Sequence, residues 1–309
     1  MVLITLVIIA AVSVGAASER RWDDGARRAG ARSLEILIFG LIPFVTFFTV
    51  SHVRLTTGVG AGIAFAWVEL AVVTTIAYML GSRTLDLRRP STGALMCAVG
   101  LVNTGYLGIP LIAALIGGTT AVGQAITFDV LVTAPMLLLV GFGIGAGFGT
   151  RAGATPRERL RGFVLRNPPL FAFIAALLAP AWATPEWARE TAAVAVLLMA
   201  PLGFFALGVN LMHEQEEGVR VFPPPVTAPV ATALGLRLIV APAIMLALST
   251  LVVRVPDAFL IQAGMACGIN GLSVGHVFGL DLRLSAGAIA WSTLVVVAAA
   301  SAVALAGGL

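Results

Sequence analysis

Val102-Asn103-Thr104-Gly105-Tyr106-Leu107-Gly108-Ile109-Pro110 interrupts one long apolar stretch of this chain. Ile269-Asn270-Gly271-Leu272-Ser273-Val274-Gly275-His276 interrupts another, in the second half. Each carries an Asn five residues before a Gly, with further Gly, Ser or Thr between them. In hydrocarbon an unpaired backbone amide is costly, so non-helical backbone survives only where it is buried in protein or lines a cavity. Apolar segments interrupted at matching positions in two halves of a chain point to a solute site near the bilayer midplane, where broken helices meet.

Composition supports a membrane setting. The chain is 59% hydrophobic and 11% charged, against about 25% charged residues in a soluble domain. Such a chain cannot cover a water-facing surface, and it reads as an all-α integral membrane protein. Its net charge of +4 sits mainly in short connections, so no nucleic-acid partner is expected. All nineteen basic residues are Arg. Cys97 and Cys267 lie inside apolar stretches and read as small packing residues rather than a disulfide or metal site. The chain has no CxxC, HExxH, P-loop or GxSxG arrangement, so the sequence predicts no enzyme chemistry, metal or cofactor.

A membrane span needs about 20 apolar residues. Ten candidates follow: 2–17, 34–50, 59–81, 93–115, 120–149, 169–184, 191–212, 228–252, 258–279 and 285–308. The first is short, but Arg20 and Arg21 follow it and no basic residue precedes it, the reverse of a signal peptide. Alternate connections hold fifteen arginines: Arg20, Arg21, Arg27, Arg28, Arg32, Arg83, Arg88, Arg89, Arg151, Arg157, Arg159, Arg161, Arg166, Arg220 and Arg283. The opposite set holds three, Arg54, Arg189 and Arg254, and Arg237 falls inside a span. Positive charge marks the cytoplasmic side, so the expected location is the cell membrane, multi-pass, with both termini outside.

Five spans per half is an odd number, so the second half enters the bilayer inverted. Duplication has further support. Pro43-Phe44-Val45-Thr46-Phe47 and Pro201-Leu202-Gly203-Phe204-Phe205 both read Pro-x-x-x-Phe, 60 and 69 residues ahead of the paired Asn. The expected organisation is a first five-helix repeat over 1–149, a cytoplasmic linker over 150–168 and a second, inverted repeat over 169–309. The connections leave no room for a soluble catalytic module.

Ionisable groups inside a span cost about 2.5–3.5 kcal/mol each on insertion scales, and they tend to face the bundle interior. Glu69, Asp129 and Arg237 are such groups. Counted from the Pro of each repeat, Glu69 and Arg237 fall at near-equivalent positions with opposite charge. Two readings stand: a structural ion pair, or a proton-binding carboxylate with Arg237 as counter-charge or anion anchor. Asp129, with Thr127 and Gln124 about a turn before it, is a second proton-site candidate or a satisfied polar cluster. His276 is a third candidate, since imidazole changes charge near neutral pH, or else a polar residue on a helix face. His52 and His213 read as interfacial. Gly105, Gly108, Gly271 and Gly275 permit unwound or closely packed backbone, and Pro110 removes a helical donor. Half-helix amides freed there attract anions and freed carbonyls suit a cation. The candidate substrate-binding set is therefore Asn103, Thr104, Gly105, Pro110, Asn270, Gly271, Ser273 and Arg237.

Asn103-Thr104-Gly105-Tyr106-Leu107-Gly108-Ile109-Pro110-Leu111 resembles the N-x-G-F-L-G-I/L-P signature in the fourth helix of the auxin efflux carrier family, which includes bacterial organic-anion permeases and plant PIN-type carriers. Pro43 to Phe47, Arg166-Asn167-Pro168, Pro201 to Leu211, Arg237 to Pro242 and Gly279-Leu280-Asp281 are similar to further segments of that family. The resemblance implies a ten-helix inverted-repeat fold like that of bile-acid/sodium symporters, in which the fourth and ninth helices are broken and cross beside the substrate. It also implies a panel of helices 1, 2, 6 and 7 beside a core of helices 3–5 and 8–10. One departure is that Ala266-Cys267-Gly268 stands where the family usually has a Pro, leaving Gly268 and Gly271 to permit the second break.

Together these features predict a secondary active transporter of a small organic anion, working by alternating access with H+ as coupling ion. A sodium-coupled symporter is the first alternative, using the freed carbonyls at Asn103 and Asn270. An intramembrane enzyme is the alternative of another class. The expected partners are the organic anion, H+ or Na+, and the lipid bilayer; the oligomeric state is open, a homodimer included.

Overall fold

Apolar runs of this length satisfy their backbone amides in hydrocarbon only as helices, and the chain is all-α. The computed structural model describes residues 2–51, 56–151, 168–216 and 225–306. His52, Arg54, Arg157, Arg159, Arg161, Arg166 and Arg220 lie outside them. In chain order the helices are α1 (Val2–Trp22), α2 (Asp24–Val50), α3 (Thr57–Thr84), α4 (Arg89–Gly100), α5 (Thr104–Leu115) and α6 (119–148). The second half has α7 (Pro168–Leu178), α8 (186–216), α9 (Ala228–Leu251), α10 (Asp257–Ala263), α11 (Asn270–Phe278) and α12 (Leu282–Ala306). Among the described residues, five stretches are long and apolar enough to cross a membrane: α2, α3, Glu186–Val209 of α8, α9 and Leu282–Val303 of α12.

The expected loop after the first span is helical instead. α1 runs on to Trp22, Asp23 turns the chain at φ 40°, and α2 begins at Asp24. Arg27, Arg28 and Arg32 thus lie on the first turns of α2, which lengthens that helix to 27 residues. The sequence missed this because a span was sought as an unbroken apolar run. Here an amphipathic segment continues into an apolar one without a stop signal.

Wide π turns recur along the helices, and prolines explain four of them. Pro in a helix lacks its N–H and its ring crowds the carbonyl four residues back, so the turn around that carbonyl opens. Pro43, Pro110, Pro135 and Pro242 point back to Phe39, Tyr106, Leu131 and Leu238. Each of these lies in a π turn: 37–41, 104–108, 129–133 and 236–240. The carbonyl of Leu131 is taken by the Trp67 indole N–H at 3.3 Å.

The helices pack in two groups. α1, α2, α7 and α8 pack on one another, as do α3–α6 with α9–α12. The groups meet through α2 against α6 and α5 against α8. Close packing of α1 on α8 depends on two glycines: a Cβ at Gly15 would meet the Phe205 carbonyl, and one at Gly208 the Val12 backbone. Small residues let helices approach in this way where lipid gives no hydrophobic drive.

Candidate functional site

α4 ends at Gly100 and the backbone is extended until α5 starts at Thr104. α10 ends at Ala263 and the backbone stays unwound to Ile269. The two unwound stretches pair as an antiparallel bridge, Val102 opposite Cys267. The Asn103 N–H donates to the Ala266 carbonyl at 2.9 Å, and the Gly268 N–H donates to the Leu101 carbonyl at 2.6 Å. A Cβ at Gly268 would lie 2.9 Å from the Leu101 oxygen and 3.0 Å from the Val102 carbonyl, so glycine makes this crossing possible. The second break therefore forms without a proline. Gly271 is buried, but a Cβ there would make only an ordinary contact, 3.9 Å from the Cys97 carbonyl oxygen. Gly105, Gly108, Gly271 and Gly275 are all helical; of the two roles expected of them, unwound or closely packed backbone, Gly108 and Gly275 show close packing, against Gln262 and Leu282.

The crossing redirects backbone donors. In a continuous helix the Asn103 N–H would bond Val99 and the Cys267 N–H would bond Ala263. The first goes to Ala266, and the second goes to the Ser292 hydroxyl at 3.0 Å. Arg237 supplies what is then missing. Its guanidinium donates to the Val99 carbonyl at 3.2 Å and to the Ala263 carbonyl, and it pairs with Glu69 at 3.2 Å. Arg237 and Glu69 are both fully buried. The π turn 236–240 carries Arg237.

A second polar group gathers at the start of α5. Asn103 precedes its first turn and is 3% exposed, and neither polar atom of its side chain has a hydrogen-bond partner among the described residues. The Thr104 hydroxyl donates to the Asp129 carboxylate and lies 2.9 Å from the Thr133 hydroxyl. The Asp129 carboxylate lies beside Gly105, 3.4 Å from where a Cβ would stand, and Asp129 itself is partly exposed. The buried Gln262 amide donates to the Thr104 carbonyl at 3.4 Å and the Ala125 carbonyl at 3.2 Å, tying α10 to α5 and α6. Its oxygen has no partner among the described residues and packs against Gly108. Tyr106 reaches from α5 to the face of α8 at Gly203.

The expected residues thus separate. Asn103, Thr104 and Gly105 come together with Asp129, and Pro110 is buried two turns along α5. Glu69 and Arg237 form their own pair, and the Arg237 guanidinium also meets the Val99 and Ala263 carbonyls. Asn270 is half-buried at the start of α11, while Ser273 and His276 lie on an exposed face of that helix. Gln262 and Thr133 were not anticipated. Gln262 is an amide in an apolar span, two turns before Asn270, and Thr133 sits one turn after Asp129, which were the signals available. Cys97 and Cys267 are buried and unpaired as thiols. Glu19, just beyond the expected first span, is buried against Arg27 and His213, each at 3.4 Å, so His213 is tied into helix packing. A cavity of about 780 Å³ lies away from the crossing, lined among others by Arg88, Ser91, Thr227 and Asp281. It contains none of the candidate residues. No group of three or more His, Cys, Asp or Glu able to hold a metal occurs among the described residues. Neither a protein-family model nor a curated protein matches this chain.

Proposed function

We propose that this chain is a secondary transporter of a small organic anion, with ten spans arranged as two inverted five-helix repeats and an alternating-access cycle coupled to protons. The observation that carries the reading is the crossing: two unwound segments paired at Val102 and Cys267, beside a buried Asn103 whose side-chain amide has no partner among the described residues. A continuous bundle would have no use for such a break, and burying an unsatisfied amide costs about 1–3 kcal/mol. A bound solute supplies the missing partner. The first residues of α5 present amide N–H groups with no helical acceptor, and the positive end of a helix suits a carboxylate. The packing of α5 on α8 puts this site at the boundary of the two helix groups, where relative movement opens it to one side or the other. The auxin efflux carrier resemblance supports the same reading.

Asp129 is the proposed proton carrier. It is partly exposed, touches the same half-helix and accepts from Thr104, so its charge state bears on an anion bound there. Glu69 is committed to Arg237. Sodium coupling is disfavoured, because five carbonyls at the breaks already carry bonds: Leu101 from Gly268, Ala266 from Asn103, Asn103 from Gly108, and Val99 and Ala263 from Arg237. An intramembrane enzyme would need convergent acid, base or nucleophile, whereas Glu69, Asp129 and His276 stand apart.

Proteoliposomes test the proposal. Uptake of organic acids driven by a pH gradient and indifferent to sodium is expected. A sodium requirement, or no flux for a broad panel of acids, overturns it. A reporter fused after Leu309 is expected outside and one between 150 and 166 inside; the same side for both overturns the five-plus-five arrangement.

A further inference from the structure

We infer that Arg237 is a built-in cation that assembles the crossing, and that removing its side chain leaves a binding site for a free guanidinium-type cation. The inference stands apart from transport. It begins with what the breaks do to the backbone. Unwinding after α4 and α10 takes the Asn103 and Cys267 N–H groups elsewhere, to Ala266 and to the Ser292 hydroxyl. Val99 and Ala263 are the carbonyls left without those donors, one near the end of α4 and the other at the end of α10. Both stand at helix C-termini, where the macrodipole puts partial negative charge, and Glu69 adds a full one.

One planar fork answers all three. A guanidinium carries five N–H donors in a fixed geometry, and it is charged throughout the accessible pH range. Arg237 uses Nη1 for Val99 and Nη2 for both Ala263 and Glu69. A lysine ammonium has three donors on a flexible stem and is strongly hydrated, so it replaces this arrangement poorly. With the side chain gone, a buried carboxylate and two carbonyls still converge on a space shaped for a guanidinium. A small ion of that shape should enter it and restore the crossing.

The test uses the purified full chain in lipid nanodiscs, read by thermal unfolding. Arg237→Ala is expected to lower the melting temperature by roughly 5–10 °C. Millimolar guanidinium chloride should restore at least half of that loss in a saturable way. The same concentration of sodium chloride should not, and wild type should not respond. Adding Glu69→Gln to Arg237→Ala should abolish the rescue, because the anion that holds the ion is gone. Stability equal to wild type in Arg237→Ala overturns the inference. So does equal rescue by sodium chloride, or rescue that persists in the double variant. Should Arg237→Ala give no folded protein with or without guanidinium, Arg237→Lys carries the test. A melting temperature clearly below wild type supports the fork, and one equal to wild type overturns it.

Discussion

At the first break the chain leaves its helix after Gly100 and is helical again by Thr104; at the second it leaves after Ala263 and returns only at Asn270. Three unwound residues face six. In the shorter break Asn103 itself bonds across the crossing and its side chain is buried, one residue before the Thr104 that donates to Asp129. In the longer one the pairing belongs to Ala266, Cys267 and Gly268, and Asn270 comes after it. By Ser273 and His276 the chain has turned its polar side chains outward. A duplicated sequence signal therefore marks where two helices break without fixing which side chains line the result. Asn103, Thr104 and Asp129 belong to the first break, whereas Arg237 serves both.

The sharpest way to break this comparison is through the glycines. Gly268→Ala brings a methyl within 3.0 Å of the Leu101 and Val102 backbone, and backbone cannot rotate away. Overpacking of this kind costs about 1–3 kcal/mol, with loss of the bridge hydrogen bonds added. Gly271→Ala, three residues on, meets only an ordinary contact with the Cys97 carbonyl oxygen at 3.9 Å and gains at most about 1 kcal/mol of helix propensity. Thermal unfolding should separate the two by several degrees in opposite directions. If Gly271→Ala is the damaging one, the crossing has been placed on the wrong residues.

Asn103 and Asn270 come next. By sequence symmetry both should orient a ligand. By geometry only Asn103 is sealed in without a partner. Asn103→Ala is expected to weaken substrate binding roughly ten- to a hundredfold, the loss of a hydrogen bond to a charged group at about 1.5–3 kcal/mol. The ligand-free protein should be no less stable, since an unsatisfied buried amide has been removed. Asn270→Ala should change affinity by less than about threefold, within the range of partly exposed sites. Equal losses in a direct binding assay would restore the symmetric reading.

The breaks were readable in the sequence because membrane physics leaves few uses for Asn, Gly and Pro inside an apolar run. The pairing of Glu69 with Arg237 was half readable: the repeat aligned the two positions, and opposite charges at membrane depth had to find each other. What Arg237 does beyond that pair was not readable. Its acceptors are the backbone carbonyls of Val99 and Ala263, and a carbonyl loses its donor for reasons of local geometry that no residue type announces. The role of Gly268 was hidden in the same way, since the expected marker was a proline. Asp129 was visible as an acid at depth, but its partner Thr104 lies 25 residues away on another helix. Nothing in spacing alone connects them.

Asp129 and Glu69 sharpen the contrast between the crossing's two sides. Asp129→Asn should remove the dependence of transport on a pH gradient while substrate still binds. Glu69→Gln should leave that dependence intact and destabilise the protein by about 3–5 kcal/mol, because it leaves the Arg237 charge buried without its carboxylate. Paired flux measurements at two pH gradients and a melting curve decide both. Proton dependence that survives Asp129→Asn and vanishes with Glu69→Gln would exchange their roles.

The smallest effects belong to Ser273 and His276, which the sequence placed beside the second break. Both side chains lie on an exposed face of α11, and Arg151 donates to the His276 carbonyl at 3.1 Å. A main-chain acceptor survives any change of side chain. Ser273→Ala and His276→Ala should therefore shift stability by less than about 0.5 kcal/mol, as exposed substitutions do. They should leave substrate affinity and proton dependence within twofold of wild type, roughly the accuracy of a binding assay at 0.4 kcal/mol. Arg151→Ala provides a control on the backbone link itself and should act on melting temperature rather than on affinity. A tenfold loss of binding on changing either side chain would place the substrate on α11, and the asymmetry between the two breaks would then belong to the resting arrangement alone.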